Sequence, residues 1–210
     1  MTIQQRLKVY AKTQRVLMPF LGSTGLARFP RGAWDIWAPV FSWQRIRPAR
    51  PSVWFELHQP MWWKQPKSWR PGYAAWLKRQ RIPVLMQRHF QAIPASVRYP
   101  KEDILNAFPG APFHGTFDWM MALAIFLQVK DIAVWGLDFG SPHQAIYQKT
   151  GGAYWIGRAC GEGIHVIVSP RSSVFSNPMP PKQTYGYDYP PWPHGHHPKD
   201  WPKTMKIETA

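Results

Sequence analysis

Between His114 and Pro170 the period of apolar and polar positions changes several times along the chain. Ala122 to Val129 is apolar almost all round, the pattern of a helix packed onto a sheet. Ile132 to Leu137 follows without a polar residue, as a strand buried on both faces of a parallel sheet requires. A polar loop, a second helix and a last apolar strand complete the segment. Upstream, short apolar runs predict strands over Val16 to Leu21, Trp34 to Val40, Val53 to His58 and Pro83 to Gln87. Ser68 to Gln80 predicts an amphipathic helix, with Pro71 near its start, Tyr73, Trp76 and Leu77 on one face, and Lys78 and Arg79 on the other. Lys101 to Phe108 predicts a short helix stopped by Pro109-Gly110. Strands alternating with helices imply an α/β fold, a single Rossmann-like, mostly parallel sheet with helices on both faces.

Three parts follow from the pattern: a basic N-terminal segment (1–15), the α/β domain (16–175) and a Pro/aromatic-rich C-terminal tail (176–210). Eight prolines fall between Pro178 and Pro202 without periodicity, so the tail is expected to form extended polyproline segments rather than regular elements. Its Tyr185, Tyr187, Tyr189, Trp192 and Trp201 suit packing over the body or a partner, since freely disordered tails seldom carry so many aromatics.

A doubly wound sheet gathers the carboxyl ends of its strands along one edge, where ligands bind. That edge should hold Glu56 and His58 after the third strand, Asp138 after the central strand, and His143, Tyr147 and Lys149 in the loop beyond it. Asp138 either meets a ligand there or caps the following turn. His143 is either a working base or a solvated loop histidine. Thr116 and Asp118 open the long helix behind Gly115. Thr116 is the expected N-cap, and the amides around it suit an anion. Gly22-Ser23-Thr24-Gly25 is a small-residue turn whose amides could approach a phosphate, although it has neither the glycine spacing of a dinucleotide fingerprint nor the lysine of a Walker A loop.

Charge changes the picture. Residues 1–100 hold 17 Lys and Arg against only Asp35 and Glu56, whereas residues 101–210 hold 9 against 9, so the formal charge of +15 lies in the first half. Eight of the 13 tryptophans lie there too. Arg45, Arg47, Arg50, Lys64, Lys67, Arg70, Lys78, Arg79 and Arg81 alternate with Trp43, Trp54, Trp62, Trp63, Trp69 and Trp76. Cations neutralise phosphates and aromatic faces stack on unpaired bases, so the mixture points to a nucleic-acid partner; the alternative is a basic surface over tryptophans that are core.

Several short patterns resemble a known group. GTFDWMMALAIFLQVKDIAVWGLDF, with WFELH at Trp54 to His58 and YWIGRACGEGI at Tyr154 to Ile164, resembles the bacterial sialyltransferase-like Rossmann superfamily, and within it uncharacterised phage proteins. The likeness covers roughly Val16 to Ser173. It implies a pocket for a nucleotide or a nucleotide-activated donor, a nucleotide sugar being the expected form. Where that family carries a catalytic histidine before its last helix, this chain has Lys149-Thr150-Gly151-Gly152, so the family's reaction does not transfer directly. In a sugar transfer His143 or His58 would serve as base beside Asp138. Gly22, Ser23, Thr24, Gly115, Thr116, Asp138, Tyr147 and Lys149 would hold the donor.

The expectation is a phage-type, glycosyltransferase-like transferase that modifies DNA or other nucleic acid. The alternatives are a non-catalytic DNA- or nucleotide-binding accessory protein on the same fold, or an assembly component docking through its tail. No metal is expected, because no Asp-x-Asp motif occurs and His194, His196 and His197 have no acidic helper. Cys160, the single cysteine, lies with Ile156 and Ala159 on a predicted helix and reads as a buried thiol. No run of about 18 apolar residues occurs, and Met1 to Arg15 lacks the apolar centre of a signal peptide, which suggests a cytoplasmic location.

Overall fold

In a computed structural model of the chain, the described residues are 5, 7–20, 30, 32–43, 46, 50–64, 71–139, 147–169 and 172–175. All of them fall within one compact unit, 1–175. Seven strands form one sheet: β1 (Arg15–Pro19), β2 (Asp35–Pro39), β3 (Val53–Glu56), β4 (Val84–Met86), β5 (Ser96–Arg98), β6 (Asp131–Trp135) and β7 (His165–Val168). Their spatial order is β5-β4-β3-β2-β1-β6-β7, and every neighbouring pair is parallel. This is the Rossmann-like α/β architecture that the alternating pattern predicts.

Period-two alternation sends side chains of the sheet to two separate cores. On one face Val16, Met18, Trp37, Val53, Phe55, Leu85, Ile132 and Val134 meet helices α3 (Lys101–Ala107), α4 (Thr116–Phe126) and α5 (Lys149–Gly161). On the other, Ala38, Trp54, Val84 and Met86 meet α1 (Pro60–Lys64), α2 (Tyr73–Lys78), Trp43 and the β4–β5 connection through Phe90 and Ile93. Each layer buries an indole whose N–H is satisfied. Trp37 Nε1 donates to the Tyr10 carbonyl and Trp54 Nε1 to the Tyr73 hydroxyl, each at 2.7 Å.

Some elements depart from the pattern. The helix expected over Ser68 to Gln80 is described from Tyr73 to Lys78, because Gly72 takes φ 83° just before it and residues 65–70 lie outside the described set. The long helix begins at Thr116 and gives way at Gln128, whose φ is 55°. α1 and β5 have no counterpart in the sequence prediction. β5 is the three residues Ser96-Val97-Arg98 and owes its place to the ladder with β4 rather than to a hydrophobic run. Cys160 is exposed, contrary to expectation: the buried positions of α5 are Gly151, Gly152, Trp155, Ile156 and Ala159, and one further step turns the side chain away from them.

At the amino-terminal edge polar side chains hold the strand starts in register. Asp35 accepts from the Thr13 amide at 2.7 Å and its hydroxyl at 2.9 Å. Asp131 lies between Arg15 Nε at 3.1 Å and His165 Nδ1 at 2.9 Å, and the Arg15 guanidinium also lies 4.2 Å from the Trp34 ring centre.

Candidate functional site

β1 continues to β2 on one side and β6 to β7 on the other, so the switch point of the sheet lies between the carboxyl ends of β1 and β6. There the Phe20 amide donates to the Trp135 carbonyl at 2.8 Å, and the Phe20 ring meets Phe117 of α4 edge-on at 5.4 Å. Beyond β6, Gly136 turns the chain at φ 64° into Leu137, Asp138 and Phe139. This loop is sewn to the segment after β7. Ser172 Oγ donates to the Leu137 carbonyl at 2.7 Å, the Ser173 amide to the same oxygen at 3.2 Å, and the Phe139 amide to Ser173 Oγ at 2.8 Å. Asp138 is thus half-buried in a loop fixed on both sides.

Two helix N-termini converge beside that loop. His114 Nδ1 donates to the Tyr147 carbonyl at 2.8 Å, bridging the starts of α4 and α5, and Gly115 lies under the Gln148 side chain, 3.4 Å from where a β-carbon would stand. Gly152 lets α5 approach the Phe139 ring, which would lie 3.2 Å from a β-carbon there. Gly115, Thr116, Tyr147 and Lys149 accordingly share one corner with the Asp138 loop. Tyr147 is exposed, and the chain enters α5 through it by a widened turn at residues 147 and 148, a local form frequent at functional sites.

Thr116 is the first residue of α4, not its cap. Gly115 occupies the cap position in extended conformation, and the buried Asp118 carboxylate supplies the missing acceptor, taking the His114 amide at 2.6 Å and the Gly115 amide at 3.1 Å. Burial pushes the Asp118 carboxyl up to about 6, while the two amides and the His114 ring favour the ionised form. An acid already stands where an anion was expected, so a ligand phosphate is better served by the α5 side of the corner.

β3 lies two inter-strand spacings from β1, about 10 Å along the edge. At its carboxyl end Glu56, 1% exposed, takes the His58 amide at 3.1 Å and lies 2.7 Å from His58 Nδ1. With Glu56 as carboxylate, Nδ1 donates and the proton-accepting lone pair of a neutral ring falls on Nε2. A buried acid orienting a half-exposed histidine is the arrangement of a general base. Sequence alone places both residues at this strand end without pairing them; the contact forms because the chain bends at His58, just beyond the last residue of β3.

The basic residues do not share one surface. Lys64 closes α1, next to the Trp62 and Met61 side chains, which are 54% and 58% exposed. Arg50, Lys78, Arg79 and Arg81 are exposed but precede β3 and β4, at the opposite, amino-terminal edge. Gly22, Ser23, Thr24, Arg45, Arg47, Lys67, Arg70, His143 and the tail histidines lie outside the described residues. Ser172, Ser173 and Gln148 escaped sequence reasoning, since nothing in their local pattern marks long-range hydrogen bonds or cover over a glycine. Among the described residues no group of three or more His, Cys, Asp or Glu gathers as a metal site, and no helix is long and apolar enough to cross a membrane.

Fold and edge together define a doubly wound, Rossmann-like α/β protein with polar and ionisable side chains along its carboxyl edge. No family model, curated protein or solved structure matches the chain.

Proposed function

We propose that the protein is a transferase that moves a group from a nucleotide-activated donor onto nucleic acid, a nucleotide sugar being the donor the phage-type sialyltransferase-like resemblance implies. The observation that carries this reading is the Glu56–His58 pair at the carboxyl edge of a parallel sheet. An acceptor hydroxyl would give its proton to His58 Nε2 while its oxygen bonds to the activated carbon of the donor. The bond from that carbon to the phosphate oxygen breaks, and the nucleotide leaves with the electron pair. Glu56 would stabilise the imidazolium formed, and Lys149, Tyr147 and the start of α5 would meet the leaving phosphate. Asp138, in its sewn loop, suits a ribose or sugar hydroxyl. The test is to incubate the protein with a panel of nucleotide-activated donors and DNA or RNA, digest, and weigh the nucleosides. A mass increment that requires His58 supports the reading, and its absence with every donor defeats it.

One observation favours a second reading, a binding protein on the same fold. In the turn where the resembled family places its histidine, Gly151 faces Asp118 so closely that a β-carbon would lie 2.8 Å from a carboxylate oxygen. That position has no room for a base. Nucleotide-dependent thermal stabilisation without any group transfer would favour this reading.

A further inference from the structure

A small platform stands beside the Glu56–His58 pair, built by α1 and the β4–β5 connection. Gln87 Nε2 donates to the Leu57 carbonyl at 2.9 Å, tying the end of β4 to the end of β3. Trp63 packs edge-on to Phe90 at 5.2 Å, which locks α1 to the connection. Two cations flank that same Phe90 ring, Lys64 Nζ at 5.9 Å and Arg88 Cζ at 5.1 Å from its centre. Both are exposed, and among the described residues neither is in an ion pair. Neither α1 nor residues 87–95 contain an acid. Trp63 is 4% exposed, and its Nε1 is buried without a hydrogen-bond partner among the described residues. Two exposed cations on one ring, without an ion pair among the described residues, are complementary to an anion. Met61 and Trp62, on the same short helix, present apolar and aromatic surface to solvent.

We propose that this platform is the acceptor site and that it takes single-stranded nucleic acid, with bases stacking on Trp62 and Met61 and phosphates on Lys64 and Arg88. The assignment rests on the transferase reading for its word "acceptor", since it leads the strand past His58. A duplex keeps its base faces inside the stack and offers Trp62 nothing to stack on; a single strand offers both partners at once. The basic residues of the opposite edge, Arg50, Lys78, Arg79 and Arg81, do not take part.

The experiment measures binding of fluorescein-labelled oligothymidylate to the full chain over a salt series, without donor. Trp62→Ala should weaken binding about tenfold, the usual worth of one base stack. Lys64→Gln with Arg88→Gln should lower the slope of log K against log salt by about 1.4, two contacts at about 0.7 each for a single strand. Arg79→Gln with Arg81→Gln should change neither. All the replaced side chains are exposed, so unchanged thermal unfolding serves as the folding control. Wild-type affinity and slope in the Trp62 and Lys64/Arg88 variants would overturn the proposal, as would duplex binding tighter than single-strand binding. If the platform binds the strand and no donor modifies it, the transferase reading fails while the site stands. If modification occurs while the platform variants keep full affinity, the site fails while the transferase reading stands.

Discussion

Asp118 and Gly151 belong to different helices, yet a β-carbon on Gly151 would lie 2.8 Å from one Asp118 carboxylate oxygen and 3.1 Å from the other. Glycine at 151 is what lets the starts of α4 and α5 close over the switch point. Asp118 cannot step aside, because it holds the His114 and Gly115 amides. Gly151→Ala should therefore cost about 1–3 kcal/mol, as overpacking of a buried contact does. Urea unfolding of Gly151→Ala, Asp118→Ala and the double variant checks this: the double variant should lose clearly less than the two singles combined, and strict additivity would show that the contact is not shared.

Stability should also carry the signature of the Asp118 carboxyl. Its folded value stands at about 6 against an ordinary 3.8, so between those values the folded protein keeps a proton that the unfolded chain has lost. The contribution is present in full below about pH 4 and disappears as pH rises through about 6. Asp118→Asn cannot ionise. The unfolding free energy of the parent minus that of Asp118→Asn should fall by up to ~3 kcal/mol across that window. A difference that is flat, or that grows with pH, would contradict the raised value.

For the base, His58→Ala should slow group transfer by about 10²–10⁴-fold. Glu56→Gln keeps the shape and removes the charge, so it should lower kcat with little change in KM. If His143→Ala alone abolishes transfer and both edge variants keep full rate, the Glu56–His58 pair is a structural contact and the base belongs to the loop after Asp138.

Nucleotide binding is the cheapest test of the corner between β6 and α5. A ligand at about 100 times its dissociation constant adds ~2.7 kcal/mol to stability, visible in a thermal-shift panel of nucleotides and nucleotide sugars. Asp138→Ala and Lys149→Ala should remove that gain without altering the far-UV spectrum. Retention of the full shift in both variants would place the nucleotide elsewhere.

What the chain made legible depended on how local each signal was. β1 and β6 are runs of apolar residues buried on both faces, and such runs announce themselves. β5 and α1 are short and exist because of what lies beside them, namely the β4 ladder and the Trp63–Phe90 contact. Glu56 and His58 were readable as strand-end residues, whereas their contact depends on the bend at His58 after β3. Their separation from Asp138 was not, since strand order is a property of the whole sheet. Which edge each described basic residue occupies was hidden for a related reason. Each helix carries the chain back across the sheet, so Lys64 and Arg79, close in sequence, emerge at opposite edges. Cys160 follows Ala159 by one residue, and a helix turns about 100° over that step, enough to move a side chain from core to solvent.

The hydrogen bonds that tie Ser172 and Ser173 to the loop carrying Asp138 make the last described turn of the domain a brace at the carboxyl edge of the sheet. A chain cut just after β7 would keep the seven strands and five α-helices described above and could pass every spectroscopic check of folding. It would nevertheless lose the brace behind Asp138. The boundary at which this domain can be trimmed is therefore set by what holds the Asp138 loop, several residues beyond the last strand of its sheet.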